Sequence, residues 1–347
     1  MPISRKIAII LVFFAQTAFG QLAAPTPVGE HSLVNWMTIE EAMTKYQTQP
    51  RPIIMDFYTD WCGWCKRMMA TTYSDPGLSS YINAYFYPVK FDAEGKDTVE
   101  YLGQKYMPTS MQPRTTHPLA AKLLQNKLMY PTTLFLNGYD KEKKEFKLSM
   151  LAAGYLETQK LEPILIFSLE NAFRNSNYDE FRVGFEKTFH DSMTMVRSNS
   201  MNWLTPKTFF NGDSVKTKKT IVLFNADWCN SGKVMKTATF TDSTTMDIMK
   251  TKFNLVEFNP EIKDTLIYKG RRFFGTANQS PYHALSFEIT RGGFAFPCAV
   301  FLNEKMEVID VINSYINPKF MEMIAHFYGD DAYKTKSWQE FSAAYGK

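Results

Sequence analysis

A Cys-x-x-Cys motif stands between an apolar run and a helix-like segment, and it restricts the possible folds more than any other feature of the chain. In order along the sequence these are Pro52–Tyr58, then Trp61-Cys62-Gly63-Trp64-Cys65, then Lys66–Ala70. A strand, a Cys-x-x-Cys and a helix form the layout of a dithiol redox centre, because the helix dipole and the first backbone N–H groups stabilise a thiolate. We expect Cys62 to be the exposed attacking thiolate and Cys65, one turn further in, to be the more buried resolving thiol.

The composition and charge of the 347-residue chain are those of an ordinary globular protein of about two domains. The formal net charge is +4, and it falls to +2 (37 basic against 35 acidic residues) if Arg5 and Lys6 are removed. A nearly neutral protein without a basic block gives no electrostatic reason to expect nucleic-acid binding. The sequence has no second Cys-x-x-Cys and no His-x-x-x-His to complete four zinc ligands, so we expect no metal and no cofactor besides the cysteine pair.

The N-terminus has the three parts of a secretory signal peptide. They are the basic pair Arg5-Lys6, the apolar run Ile7–Phe14, and the small residues Ala18 and Gly20 at the two positions that signal peptidase recognises. The apolar run is too short to span a bilayer, so we predict that residues 1–20 are cleaved between Gly20 and Gln21 and that the protein is exported and not embedded in a membrane. A Cys-x-x-Cys in an oxidising compartment is oxidised unless a partner reduces it, so a redox partner is implied.

The pattern of apolar residues and turn signals in the first half predicts a mixed sheet covered by helices. Thr38 and Glu41 form a capping box at the start of a first helix. The other predicted elements are strands at 53–58, 87–91, 130–136 and 146–151, and helices at 98–106, 118–125, 156–169 and 178–189.

The order of these motifs resembles the thioredoxin superfamily. The matching residues are Asp56, Trp61, Cys62-Gly63-Trp64-Cys65-Lys66, Lys90 and Tyr130-Pro131-Thr132. The segment Thr72–Pro76 is more similar to the exported branch of that superfamily, such as the C-terminal domain of the DsbD-type thiol:disulfide interchange proteins. The resemblance covers roughly residues 34–170, and it implies a periplasmic protein that acts on disulfide-bearing client proteins and is supplied by a membrane electron donor of the DsbD type.

The resemblance also implies roles for individual residues. Asp56 would be the base that takes the proton of Cys65, and Lys90 would adjust the acidity of the Asp56 carboxyl group. Pro131 would be a cis-proline that frees the backbone of Tyr130 to pair with an extended substrate strand. The residues around the cysteines, Trp61, Gly63 and Trp64, would form the substrate-docking rim, with Trp61 also packing under the turn.

The same order of motifs occurs a second time. The segment Asn35-Trp36-Met37-Thr38 returns as Asn202-Trp203-Leu204-Thr205, and Asp60-Trp61-Cys62 returns as Asp227-Trp228-Cys229, both at an offset of 167. The offset falls to 160 near the end of the chain. The cause is a shorter turn in the second copy at the place of the charged turn 140–145. We therefore predict two tandem thioredoxin-like α/β domains, 34–190 and 201–347, each with a helical insertion before the Pro-led strand. His117 and His283 are predicted to be structural residues at the head of that insertion helix.

The second copy lacks the residues that the chemistry needs. Cys65, Asp56 and Lys90 of the first copy correspond to Gly232, Leu223 and Glu257. The second copy is therefore predicted to be a non-catalytic binding or scaffold domain. It gains Cys298 directly after Pro297, and in a thioredoxin-like fold that loop lies against the Cys-x-x-Cys turn. A structural disulfide between Cys229 and Cys298 is thus one expectation, and two separate thiols are the alternative.

The function that these features favour is an exported thiol:disulfide oxidoreductase that reduces protein disulfides through Cys62 and Cys65. Two alternatives stay open. One is a disulfide oxidase or isomerase of the same fold, because the residues between the cysteines influence the reduction potential. The other is a client-binding module, in which the second copy recruits the client and the redox activity of the first is ancillary.

Overall fold

The computed structural model describes residues 32–345, apart from residues 192–195, 197, 199, 213–216 and 276–279. The predicted signal peptide, residues 1–20, and part of the predicted linker lie outside the described residues. In the part of the chain that is described, no helix is long and apolar enough to cross a membrane.

A four-stranded mixed sheet forms the centre of the first copy. Its strands are β1 (Ile53–Tyr58), β2 (Tyr87–Asp92), β5 (Thr132–Asp140) and β6 (Glu145–Ala153). They lie in the order β2-β1-β5-β6, with β2 parallel to β1 and the other neighbours antiparallel. The sequence of β1, apolar or aromatic except for Asp56, fits its position in the middle of the sheet, since a strand covered on both faces needs apolar side chains on both.

Six helices accompany this sheet. They are α1 (Ile39–Thr48), α2 (Gly63–Ala70), α3 (Pro76–Tyr85), α4 (Pro118–Leu123), α5 (Thr158–Leu169) and α6 (Tyr178–His190). The predicted capping box is present, because Thr38 accepts from the backbone of Glu41 and Glu41 accepts from the backbone of Thr38. Asp75 caps α3 in a similar way, with Pro76 in its first turn. The cysteine motif is thus fixed between a buried strand and a helix.

The insertion before the Pro-led strand is not purely helical, so the helix predicted at 98–106 is wrong. That segment forms a hairpin of β3 (Val99–Tyr101) and β4 (Gln104–Tyr106), and only α4 follows it as a helix. Leu102 and Gly103, at the turn, have φ values of +53° and +75°, which suits a two-residue hairpin turn. The two tyrosines at the strand ends are buried in the core, so alternating burial and the turn prevail over helical propensity.

The second copy repeats the arrangement with one more edge strand. Its strands are β7 (Trp203–Leu204), β8 (Lys219–Phe224), β9 (Phe253–Phe258), β12 (Cys298–Leu302) and β13 (Val308–Ile312), in the order β13-β12-β8-β9-β7, and a hairpin of β10 (Leu266–Tyr268) and β11 (Arg271–Phe273) stands in the insertion. Its helices are α7 (Pro206–Phe210), α8 (Asn230–Val234), α9 (Met246–Lys252), α10 (Ala284–Ile289), α11 (Pro318–Gly329) and α12 (Trp338–Ala344). The β12–β13 hairpin is shorter than β5–β6, as the change of offset predicted. The predicted fold class, α/β with two thioredoxin-like units, is confirmed.

The last helices of the first copy pack into a hydrophobic core of the second copy. Phe167 in α5 and Phe181 and Phe185 in α6 belong to the same buried cluster as Leu223 and Phe301 of the second sheet. Close approach is possible because α6 has Gly184 at the contact, where an added Cβ would lie 3.0 Å from the side chain of Val234. The ends of α5 and α6 are therefore positioned against the second copy, which becomes important for its degenerate site.

Candidate active site

The two cysteines of the motif form a disulfide at the start of α2. Cys62 is the N-cap residue, and its Sγ accepts a hydrogen bond from the backbone N–H of Cys65 at 3.1 Å. This position allows the helix N-terminus to stabilise a thiolate on Cys62. The expectation that Cys62 is exposed is wrong for this oxidised form: the two residues are 5% and 3% exposed, because the disulfide turns the Cys62 sulfur towards the helix.

A buried ion pair lies next to this helix. Asp56 and Lys90 stand opposite each other on the parallel strands β1 and β2, and Lys90 Nζ lies 2.5 Å from Asp56 Oδ2. The same Nζ contacts Met69 Sδ at 2.9 Å. Met69 follows Cys65 by four residues in α2, so the two side chains share one face of the helix. The structure therefore brings the predicted base and its lysine to the helix face that carries the resolving cysteine.

Two aromatic rings surround the ammonium group of Lys90. Its Nζ lies 4.6 Å from the ring centroid of Tyr58 and 5.2 Å from that of Trp36, within the range of cation–π contacts. Burial, with additional repulsion from nearby carboxylates including Asp56, raises the pKa of Tyr58 to about 12. Tyr58 therefore remains a neutral phenol at neutral pH, and Asp56 is the carboxylate that the buried lysine faces.

Sequence reasoning missed a third group at this site, Tyr73. Its side chain is fully buried, and its hydroxyl donates to Asp56 Oδ1 at 3.3 Å and lies 3.2 Å from Thr133 Oγ1. Burial and then the charge of Asp56 raise the pKa of Tyr73 well above its usual range, so the hydroxyl keeps its proton. A signal was available in the repeat, because the corresponding residue of the second copy is Phe240.

The two tryptophans form an exposed rim around the cysteines. Trp61 and Trp64 are each 56% exposed, so the prediction that Trp61 also packs under the turn is wrong. Its indole N–H instead donates to Glu94 Oε2 at 3.1 Å, which holds the ring outward. Arg67 lies over the ring of Trp64 at 5.3 Å. No described heavy atom outside the immediate chain comes within 4 Å of a Cβ built on Gly63, so the space between the tryptophans is open.

The Pro-led loop completes the site. The Tyr130–Pro131 peptide bond is cis, and the ring of Tyr130 lies 6.3 Å from that of Trp61 in an edge-on arrangement. The carbonyl of Pro131 accepts a hydrogen bond from the backbone of Gly154 at 2.8 Å. The loop is thus fixed to β6 on one side and faces the rim on the other, which is where an extended substrate segment would have to lie.

The expected disulfide of the second copy is wrong, because Cys229 and Cys298 are both free, buried thiols. Cys298 starts β12 and shares with Val300 and Leu302 a sheet face that packs into an apolar cluster. Cys229 is the N-cap of α8, and its sulfur faces a carboxylate, Glu170. The two sulfurs therefore have different surroundings. Burial raises the pKa of both thiols well above the usual range, with the charge of Glu170 adding to the effect at Cys229.

The carboxylate of Glu170 occupies the start of α8. Glu170 is the C-cap of α5 in the first copy, yet its Oε1 accepts from the backbone of Asn230 at 3.1 Å and its Oε2 from the backbone of Ser231 at 2.7 Å. Oε2 also accepts from the Ser231 hydroxyl and, at 3.3 Å, from the Cys229 thiol. Burial raises the pKa of Glu170, and these hydrogen bonds oppose that rise. Sequence reasoning had no signal for this contact between the copies.

The two histidines singled out in the sequence are helix caps. His117 accepts from the backbone of Leu119 through Nδ1 at 3.2 Å, and its Nε2 lies 3.1 Å from the carbonyl of Asp97. His283 makes the equivalent contacts at the start of α10. The predicted structural role is confirmed. Among the described residues, no group of three or more His, Cys, Asp or Glu side chains is placed to hold a metal ion.

Comparison with known proteins agrees with this description of the first copy. A family model described as "Thioredox_DsbH: Protein of unknown function, DUF255" matches residues 28–160. The "Thiol:disulfide interchange protein DsbD" of Photorhabdus laumondii is 37% identical over 62 residues, which are 16% of this chain and 10% of that protein. The chain thus matches about a tenth of the length of this curated relative.

Two solved structures are similar to part of the chain. The Neisseria meningitidis DsbD C-terminal domain in the reduced form is 19% identical, with 38% of this chain and 93% of that chain covered and a TM-score of 0.25. A thioredoxin from Thermus thermophilus is also 19% identical, with 38% and 84% covered and a TM-score of 0.28.

Proposed function

On the premise that residues 28–160 form a thioredoxin-like domain of the DsbD-like type, we propose that the protein is an exported thiol:disulfide oxidoreductase that reduces protein disulfides. The observation that carries the proposal is the disulfide of Cys62 and Cys65 at the start of α2, next to the buried pair Asp56–Lys90. A buried ion pair is costly to maintain, and a base beside a resolving thiol gives it a function.

The proposed reaction has two thiol–disulfide exchanges. The Cys62 thiolate attacks one sulfur of a client disulfide, a bond between Cys62 and the client forms, and the other client sulfur leaves as a thiolate that is protonated by water. Asp56 then accepts the proton of the Cys65 thiol, and the Cys65 thiolate attacks the Cys62 sulfur. The bond between Cys62 and Cys65 forms, the second client sulfur leaves and is protonated, and two electrons have passed from the protein to the client.

The setting of this reaction is part of the proposal. The N-terminal sequence supports export, and the curated relative is named a thiol:disulfide interchange protein. We infer a periplasmic protein that receives two electrons per cycle from a membrane donor of the DsbD type and passes them to disulfide-bearing clients. The second copy, which lacks Cys65, Asp56 and Lys90 equivalents, would hold the partner or serve as a scaffold.

The reduction potential of the Cys62–Cys65 pair tests the direction of electron flow. A value near that of thioredoxin, about −270 mV, supports a reductase, whereas a value near that of DsbA, about −120 mV, contradicts it and supports an oxidase. Equilibration with glutathione or dithiothreitol buffers, followed by alkylation and mass measurement, gives the value. The Cys229→Ser variant is the matched control, because Cys229 is a free, buried thiol in the second copy and its removal should leave the measured potential unchanged.

A mixed-disulfide trap tests whether the protein acts on client disulfides. Cys65→Ala removes the resolving thiol, so the natural client should stay bound to Cys62 in a complex that dithiothreitol releases. A Cys62→Ala, Cys65→Ala variant should trap nothing and should lose the cellular phenotype. If the double variant keeps the phenotype, the protein is a client-binding module and the proposal fails.

A further inference from the structure

We propose that Tyr73 is a positioning residue for the base of this redox site: its hydroxyl holds and stabilises the ionised Asp56 that accepts the proton of Cys65. The inference rests on the proposed function and extends it to a residue that touches neither sulfur. It concerns the second exchange only, in which Cys65 resolves the mixed disulfide on Cys62.

Both oxygens of the Asp56 carboxylate have a defined partner. Lys90 binds Oδ2 at 2.5 Å, and the Tyr73 hydroxyl donates to Oδ1 at 3.3 Å. A hydroxyl has one proton, so when Tyr73 donates to Asp56 its oxygen is left to accept from Thr133 Oγ1, which lies 3.2 Å away. The chain from Thr133 through Tyr73 to Asp56 therefore fixes the carboxylate on the side opposite the ammonium group.

The groups that face Asp56 come from four elements. They are Lys90 on β2, Tyr58 on β1 itself, Thr133 on β5, and Tyr73 in the turn after α2. Cys65 lies on the same face of α2 as Met69, which contacts Lys90. Lys90 is the only positive charge among them, and Tyr58 and Tyr73 both keep their protons at neutral pH.

The second copy provides an internal comparison. Phe240 stands at the position of Tyr73 and packs edge-on against Trp203 at 4.9 Å, as Tyr73 packs against Trp36 at 4.8 Å. A phenyl ring therefore fills this place in the fold without a hydroxyl. In the copy that has lost Asp56 the hydroxyl is also lost, which is expected if its role is to serve the carboxylate.

The bond from Tyr73 favours the ionised carboxylate over the protonated one, since a charged acceptor binds the hydroxyl more strongly. Loss of this bond should make Asp56 harder to keep ionised, so resolution by Cys65 should need a higher pH. The first exchange does not use Asp56, and it should therefore keep its pH dependence. These two expectations separate a positioning role from a general loss of structure.

The test is the pH dependence of the two exchanges in the full-length protein with Tyr73→Phe. The reduced protein is mixed with the disulfide probe 5,5′-dithiobis(2-nitrobenzoate), and the first thionitrobenzoate is released by Cys62 and the second by Cys65. We expect the acid limb of the second phase to move to higher pH by about one unit, with the first phase unchanged. Tyr315→Phe is the matched control, because it removes another fully buried tyrosine hydroxyl outside the site.

An unchanged acid limb of the second phase in Tyr73→Phe overturns the inference. A shift of both phases by the same amount does so as well, because it would show a general effect on the site. The second copy has an alanine, Ala299, at the position of Thr133. Thr133→Ala should give a smaller shift in the same direction. If the wild-type protein releases only one thionitrobenzoate, the proposed function itself has failed, which is a different result from an unshifted profile.

Discussion

The two copies build the same backbone frame around their cysteines and use it for different purposes. In each copy a cysteine caps a short helix and a cis-proline begins the facing strand. Even the rim is repeated, since Trp61 donates to Glu94 and Trp228 donates to Glu261, both at 3.1 Å. The frame therefore does not depend on the redox chemistry, and the differences between the copies identify what the chemistry requires.

The main difference is the buried polar network. The corresponding residues in the first and second copy are Asp56 and Leu223, Lys90 and Glu257, Tyr73 and Phe240, and Thr133 and Ala299. Three of the four polar groups become apolar, and the remaining carboxylate, Glu257, pairs with Lys236 at 2.5 Å. The second copy thus has the same sheet arrangement without the network, so that arrangement does not depend on the buried charges of the first copy.

The second difference is access. The rim of the first copy is open to solvent, whereas the helix start of the second copy is closed by Glu170 from the end of α5. The carboxylate takes the position near Cys229 that a client sulfur would need. The degenerate site has become part of the contact between the copies, and this holds the last helices of the first copy in place.

The largest expected effect is the contrast between the leading cysteines of the two copies, Cys62 and Cys229. Cys62→Ser should lower the turnover of a disulfide substrate by more than about 10³-fold, because the nucleophile is lost. Cys229→Ser should leave turnover within about twofold, since that thiol is buried and faces Glu170. Insulin reduction with dithiothreitol as electron source measures both. Equal losses in the two variants would show that the second copy takes part in the chemistry.

Replacing Asp56 by the leucine of the second copy should be the most destabilising of these changes. Asp56→Leu leaves the ammonium of Lys90 buried without its carboxylate, at a cost of about 3–5 kcal/mol. Asp56→Leu with Lys90→Met removes both charges and should return the free energy of unfolding to within about 1–2 kcal/mol of wild type, measured by urea denaturation. The double variant should still resolve mixed disulfides slowly. Recovery of the rate together with the stability would contradict the role of the pair in proton transfer.

Removal of the Glu170 carboxylate from the second site should lower the free energy of unfolding by less than Asp56→Leu does. Glu170→Ala leaves the backbone N–H groups of Asn230 and Ser231 without their acceptor, which should destabilise the protein by about 2–3 kcal/mol. It also removes the negative charge beside Cys229, so that the pKa of this thiol should fall and its alkylation in the native protein should become faster. Mass spectrometry after timed iodoacetamide treatment reports the second effect, with Cys298 in the same molecule as the control. An unreactive Cys229 in this variant would contradict the closure by Glu170.

The same variant should change the pH dependence of stability. The pKa of Glu170 is raised in the folded protein, so the folded state binds this proton more tightly than the unfolded chain does. The resulting stabilisation is complete below the ordinary glutamate pKa of about 4.3 and is lost as the pH rises through the folded value. The cost of Glu170→Ala should therefore be larger near pH 4 than near pH 7. A cost that grows with pH would show that the hydrogen bonds outweigh burial.

Local sequence patterns predicted the frame of both sites correctly. The strand at Ile53–Tyr58 and the cap at Thr38 follow from local patterning, which tertiary contacts do not override. The proximity of Lys90 to Asp56 is instead what the family resemblance implies, and the register of β1 and β2 places the two residues opposite each other. The helix predicted at 98–106 is wrong because a short alternating strand and a charged helix face have similar sequence patterns, and only the partner strand distinguishes them.

The contacts that the sequence did not predict are made by side chains far apart in the chain. The hydroxyl of Tyr73 meets Asp56 only because the turn after α2 folds back over β1, and Glu170 meets Ser231 only because α5 packs against the second copy. Tyr73 lies in the segment Thr72–Pro76 that carries part of the family resemblance, but that resemblance implies no role for its hydroxyl, and Glu170 belongs to no short motif. Comparing the two copies position by position would have identified Tyr73, since its partner Phe240 lacks the hydroxyl, but no such comparison identifies Glu170.

The smallest expected effect concerns the glycine that replaces the second cysteine. A Cβ on Gly232 would lie 2.2 Å from Asn225 Oδ1, whereas one on Gly63 meets no described heavy atom outside the immediate chain within 4 Å. Gly232→Ala should therefore cost about 1–3 kcal/mol, and Gly63→Ala less than about 0.5 kcal/mol, in urea denaturation. Asn225→Ala should relieve the clash in a double variant with Gly232→Ala. Equal costs for the two single variants would mean that Asn225 moves aside freely. In that case the Asn225 side chain would not block the position where the second cysteine stands in the first copy.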